Sequence, residues 1–164
     1  MDRLAKANGG QVRRAQNAEE ALELSSARRM AFPALARMRP TTVLEDVSVP
    51  RSRLVEMVTR VEQIAAKHRL MIGNFGHAGD GNLHPTILTD QRDKDEFARV
   101  EKAVEEIFDL ALSLGGTISG EHGIGSAKAR FMPREVGQTG VSVMASIKKT
   151  MDPKGILNPG KMCV

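Results

Sequence analysis

From Thr42 to Val49 the chain alternates, Val43, Glu45, Val47 and Val49 on one side and Thr42, Leu44, Asp46 and Ser48 on the other, a period of two that predicts a strand stopped by Pro50. The period then lengthens. Leu54, Val58, Val61 and Ala65 recur at helical spacing up to about His68, where Lys67, His68 and Arg69 suit a helix C-terminus, so His68 reads as a capping or surface residue. Two short apolar runs follow, Leu70–Phe75 and Leu83–Thr89, each of strand length. Pro85 predicts that the second of them lies at or near a sheet edge. Asp93-Lys-Asp-Glu96 then has the form of a capping box, opening a long helix whose buried stripe is Phe97, Val100, Val104, Ile107, Ala111 and Leu114 and which Gly115-Gly116 ends.

A short strand over 117–119 and a last helix over about 134–150 complete the pattern, with Val141, Met144, Ile147 and Met151 turned inward. Ahead of it all, alanines and leucines from Asn17 to Met38 predict a further helix, with Asn17 as N-cap and Pro33 as a kink or end. The element order from residue 42 onward is β-α-β, β-α-β. It predicts an α+β fold, a ferredoxin-like antiparallel sheet with helices packed on one face. Residues 1–16 lack a sustained apolar period and read as a linker or truncated remnant, leaving 17–164 as one domain.

Composition narrows the function classes. At 164 residues and 41% hydrophobic content there is room for one compact core and little more. The formal charge of +4 is spread among acids, and with no Trp or Tyr and only five Phe stacking platforms are poorly supplied, so nucleic acid is not an expected partner. The basic balance favours an anionic substrate. The lone cysteine, Cys163, excludes an internal disulfide or a cysteine-rich metal site. No membrane span or leader is visible, and the expected compartment is the cytoplasm.

The chemistry gathers in two glycine-rich stretches. Gly76-His-Ala-Gly-Asp-Gly-Asn-Leu-His-Pro85 joins the two central apolar runs, and its glycines let the backbone lie close to a ligand. His77 and His84 stand near the two ends of that connection, where both imidazoles can serve one metal ion or one substrate. Gly120-Glu-His-Gly-Ile-Gly125 adds Glu121 and His122. Two imidazoles and a carboxylate (His77, His84, Glu121) would leave open positions on zinc, manganese or iron(II), and His122 would be free to act as a general base. In the idealised topology, however, strand four ends at the opposite end of the sheet from the His77–His84 loop. Either the topology is modified, or Glu121 and His122 do not join His77.

His77-Ala-Gly-Asp-Gly-Asn-Leu-His84, Gly120-Glu-His-Gly-Ile-Gly125 and Asp152-Pro-Lys-Gly-Ile-Leu-Asn-Pro-Gly-Lys161, in that order, resemble the motifs of the C-terminal domain of FAD-linked 2-hydroxyacid oxidases and dehydrogenases. That family includes glycolate oxidase flavoprotein subunits, D-lactate dehydrogenase and D-2-hydroxyglutarate dehydrogenase. The resemblance implies a substrate- and metal-binding cap over an FAD held by a separate N-terminal domain or subunit, with a small 2-hydroxy acid as substrate. It implies further that His77, His84 and Glu121 bind a divalent metal, that His122 is the catalytic base, and that Arg28, with Arg29 one residue away, holds the substrate carboxylate. Asn158 and Lys161 match the tail that approaches the flavin. Ser25 stands where many relatives have tryptophan, and Leu44 near where the hydroxyglutarate enzymes have a lysine, which favours glycolate or lactate over a dicarboxylate. A metal-dependent hydrolase and a non-catalytic ferredoxin-like regulatory module are the alternatives, and a homo-oligomer is left open.

Overall fold

The computed structural model describes residues 2–161, without the side chains of Ala27 and Arg28; Cys163 lies outside the described residues. The chain forms two compact units, Met1–Met38 and Arg39–Val164.

The first unit holds three helices, α1 (Asp2–Ala7), α2 (Ala18–Arg29) and α3 (Ala31–Ala36). Asn17 caps α2 as expected, its Oδ1 accepting the Glu20 N–H at 2.8 Å. The single helix expected over 17–38 is two: the break falls at Met30, and Pro33 sits in the first turn of α3, where a missing N–H costs nothing. The opening residues, expected to be irregular, include the short α1.

The second unit contains β1 (Thr41–Leu44), β2 (Val47–Ser48), α4 (Leu54–His68), β3 (Met71–His77), β4 (Asn82–Thr89), α5 (Lys94–Ser113) and α6 (Met132–Met151). β4 is the centre of an antiparallel sheet, paired with β3 on one side and with β1 and β2 on the other. β1 and β2 share one register against β4, since Leu44↔Thr86 and Val47↔Leu83 keep the same offset. Their ladder is interrupted where Pro85 has no N–H to give; the Glu45 N–H still donates to the Pro85 carbonyl at 2.9 Å. Pro85 is therefore in the central strand and not at an edge, tolerated because the neighbouring strand gives up a rung. The fourth strand expected over 117–119 is a single bridge, Ser48↔Thr117. With it the spatial order is the ferredoxin-like one.

Alternation gives β4 two different faces. Leu83 and Ile87 join Val47 in one core with Met57 and Val61 of α4 and Val100, Ala103, Val104, Ile107, Phe108 and Ala111 of α5. Each fully buried aliphatic or aromatic side chain there contributes about 1.5–3 kcal/mol. Asn82, His84 and Thr86 occupy the opposite face and are buried as well.

The helices are terminated by specific contacts. Arg69 closes α4 in the left-handed region at φ 54°, and Arg99 of α5 donates to the His68 carbonyl at the helix end at 2.9 Å. His68 itself sits against Glu106, 3.0 Å from Nε2 to Oε1. Half of the expected capping box forms at α5: Asp93 accepts the Glu96 N–H at 2.9 Å, but the Glu96 carboxylate binds Thr89 and Arg39 instead of returning to Asp93. α6 is broken by Gly137, at φ 67° and ψ 170°. Val141 and Met144 pack against the core as expected, whereas Ile147 and Met151 are exposed, the core contacts of α6 running no further than Met144. Among the described residues no helix is long and apolar enough to cross a membrane.

Candidate metal and proton-transfer site

The polar face of β4 and the loop after Thr117 meet. His77 at the end of β3 and Asn82 at the start of β4 are register partners, as are Phe75 and His84, so the β3–β4 hairpin sets both histidines on one face, two residues apart across the sheet. The hairpin is tight for a stated reason. Gly81 adopts φ 77°, and a Cβ there would strike the Val49 carbonyl, so the turn needs both the left-handed backbone and the bare Cα.

Glu121 enters from the second loop and is the point on which the imidazoles converge. Its Oε1 lies 3.1 Å from His84 Nε2 and 3.6 Å from both His77 Nε2 and His122 Nε2. The His84 and His122 rings stack at 4.9 Å with 10° between their planes, and the His77 ring meets His84 edge-on at 5.7 Å. Glu121 and His122 thus join His77, and the modification that permits it is the shortened fourth strand. The chain leaves the sheet after Thr117 and crosses over the polar face.

A buried carboxylate holds that crossing in place. Asp46 Oδ2 accepts from the N–H groups of Gly120, Glu121 and His122 at 2.8–2.9 Å and from Ser119 Oγ at 3.1 Å. Asn82 Nδ2 donates to Asp46 Oδ1 at 2.6 Å and reaches Ser48 Oγ at 3.3 Å. Burial alone would raise the Asp46 pKa; the N–H groups of His122 and Glu121 and the Asn82 amide outweigh it and hold the carboxyl below the usual range. Gly120 is required by the same packing: a Cβ would collide with the Asn82 amide and the Ser48 hydroxyl.

Beneath the site, Lys128 is buried, donating from Nζ to the carbonyls of Asp46 and Ile118, both at 2.8 Å. It stands 3.8 Å from Glu45. Burial pushes the Glu45 carboxyl up to about 7, Lys128 opposing the shift and Asp46 adding to it. Burial likewise lowers the Lys128 pKa.

His77, His84 and Glu121 each offer one ligand atom, and the three atoms lie within 4.8 Å of one another. This donor set fits a borderline divalent cation. His84 is 4% exposed and its Nδ1 has no hydrogen-bond partner, with Asp46 Oδ1 3.8 Å away. Asp46, His84 and His122 form a second, overlapping group of the same kind. His77, Glu121 and Asn82 line a polar cavity of about 430 Å³, a size suited to a small polar ligand.

The remaining expected site residues belong to the first unit and to the C-terminal tail. Arg28 belongs to α2 in the first unit and its side chain is outside the description; Arg29 is exposed and donates to Ser25 Oγ at 2.8 Å. Asn158 and Lys161 are exposed on the C-terminal tail, where Asp152 accepts the N–H groups of Ile156 and Leu157 and Asn158 adopts φ 47°. Asp46, Asn82, Glu45 and Lys128 were not among the residues expected from sequence. The available signal was the acidic pair Glu45-Asp46 inside a valine-rich strand.

Residues 1–162 match the family described as FAD linked oxidases, C-terminal domain. The chain is 53% identical over 157 residues to the glycolate oxidase subunit GlcD of Bacillus subtilis, covering 96% of this chain and 33% of that protein. It is 38% identical over 160 residues to the subunit of the same name from Escherichia coli K12, covering 98% of this chain and 32% of that protein. A mitochondrial D-lactate dehydrogenase [cytochrome] of Arabidopsis thaliana is 35% identical over 160 residues, 96% of this chain and 28% of that protein. The chain spans about a third of the length of these curated relatives.

Proposed function

Because this chain belongs to the C-terminal domain family of FAD-linked oxidases, we propose that it is the substrate- and metal-binding cap of an FAD-dependent oxidoreductase. The reaction is oxidation of a small 2-hydroxy acid, of the glycolate or D-lactate type, to the 2-oxo acid. Residues 17–164 make up the cap, and the flavin is held by another domain or subunit. The observation that carries this reading is the convergence of His77, His84 and His122 on Glu121 beside a polar cavity.

In this reading His77 Nε2, His84 Nε2 and a Glu121 oxygen hold a divalent ion. When bound, the ion would polarise the substrate's hydroxyl oxygen and the flavin would accept two electrons and the Cα hydrogen as hydride. His122 takes the hydroxyl proton; its half-exposed ring faces Glu121, and stacking on His84 fixes the plane in which it approaches. Arg28 receives the substrate carboxylate with its guanidinium. Asn158 and Lys161 face the flavin. The chain by itself has no turnover.

The test uses the complete flavoenzyme. His122→Ala should lower the rate of 2-hydroxy acid oxidation by about 10²–10⁴-fold, the range for loss of a general base, while the metal content stays at one ion per chain. Loss of the ion together with activity would make His122 a ligand and remove it as the base.

A further inference from the structure

We propose that Asp46 is the positioning residue of this site, a single buried carboxylate that presents Glu121 and His122 to the histidines and backs the second nitrogen of His84. The proposal deepens the metal-site reading and rests on it.

Three consecutive N–H groups, those of Gly120, Glu121 and His122, point at one oxygen of Asp46, and the Ser119 hydroxyl joins them. Successive backbone donors aimed at one point form a concavity that suits an anion. The consequence lies in the two side chains that project from this turn. Glu121 and His122 are neighbours in sequence, so in an ordinary strand they would point to opposite faces; wrapped around Asp46, both direct ring or carboxylate atoms at His84. The fourth-strand ladder has stopped at Thr117, and beside the turn's own bond from the Gly123 N–H to Ser119 Oγ at 2.8 Å it is Asp46 that gathers the three N–H groups.

The other oxygen of Asp46 faces His84. The continuing register of β1 and β2 sets Asp46 across from His84 on β4, and Oδ1 lies 3.8 Å from a ring nitrogen that is buried and otherwise unpartnered. With an ion on Nε2 the proton would belong on Nδ1, and Asp46 Oδ1, 3.8 Å away, is the carboxylate oxygen nearest to it. A carboxylate behind a ligating imidazole fixes its tautomer and orientation and raises its basicity. Asn82, whose amide donates to Oδ1, prevents that carboxylate from rotating away. One side chain therefore orders two ligands and the base.

The test compares the full 164-residue chain with Asp46→Asn, using Co²⁺ as the probe and its visible absorption as the signature of the ligand set. An amide at position 46 presents donors to donors. Cobalt affinity should fall about 10–100-fold, the usual cost of removing an outer partner of a metal ligand, with a changed spectrum. Amide hydrogen exchange should rise at 120–122 while α5 stays protected. A folded variant with wild-type cobalt affinity and spectrum, whatever its melting temperature, makes Asp46 a stability residue only and overturns the proposal. If Asp46→Asn does not fold, Ser119→Ala and Asn82→Ala, each removing a contact to one carboxylate oxygen, carry the same readouts, and unchanged binding in both overturns it. Should the unaltered chain bind no cobalt, the metal reading itself fails, and the exchange data decide: protection kept at 120–122 in the variant overturns the positioning role, and its selective loss upholds it.

Discussion

The two faces of β4 bury comparable side chains for opposite ends. On one face Leu83 and Ile87 meet α4 and α5 in contacts that any well-packed aliphatic set could make. On the other, Asn82, His84 and Thr86 are equally withdrawn from water but polar, and the Asn82 Oδ1 and His84 Nδ1 atoms have no partner. An unsatisfied buried polar atom costs about 1–3 kcal/mol. The apolar face thus supplies the stability that offsets this cost on the polar face. The candidate site lies where burial is least comfortable.

That division can be broken at either face. The largest expected change in stability is on the apolar side: Ile87→Ala should lower the unfolding free energy by about 2–5 kcal/mol in a denaturant titration, with cobalt affinity unaltered in the folded fraction. An intermediate effect belongs to the seam between the faces, where Glu45 sits. Burial raises its pKa in the folded state from the usual 4.5 to about 7. The folded chain therefore binds more protons than the unfolded chain between those values, so this contribution is complete below about pH 4.5 and is lost as pH rises through 7. The loss is up to about 3 kcal/mol, at 1.4 kcal/mol per pKa unit. Glu45→Gln should remove this slope from the variant's own stability profile, so that the wild-type-minus-variant difference falls between pH 4.5 and 7; parallel profiles would place Glu45 in contact with water. The smallest change in stability is expected on the polar face. His84→Ala should change the unfolding free energy by about 1 kcal/mol or less, yet leave no measurable cobalt binding. A large destabilisation with the metal retained would mean that the two faces have been assigned the wrong way round.

Most of this architecture was legible in the chain. The stripes of α4 and α5 and the caps at Asn17 and Asp93 are local signals, and local signals survive folding because they depend only on residues within a turn or two. Pro85 misled because its preference for edges assumes a continuous ladder, and here the adjacent strand yields a rung. Ile147 and Met151 misled because a helical period tells which residues share a face and not how far that face is covered, and on α6 the core contacts run no further than Met144. The residues of the candidate site were visible as types and motifs, but their meeting was not. It depends on Asp46, which in the sequence is only a polar position in an alternating strand, and on a fourth strand so short that its chain turns aside after one bridge.

Lys128 gives that truncated strand a further meaning. A sheet that stops one strand early exposes a row of carbonyls that a second polypeptide can add to, which is how aggregates and swapped dimers begin. Here the buried ammonium of Lys128 takes the Asp46 and Ile118 carbonyls, so those two acceptors are already engaged and not offered to an incoming backbone. A lysine in the place of a strand leaves the chain free to turn over the histidines and also makes the open border a poor template for self-association.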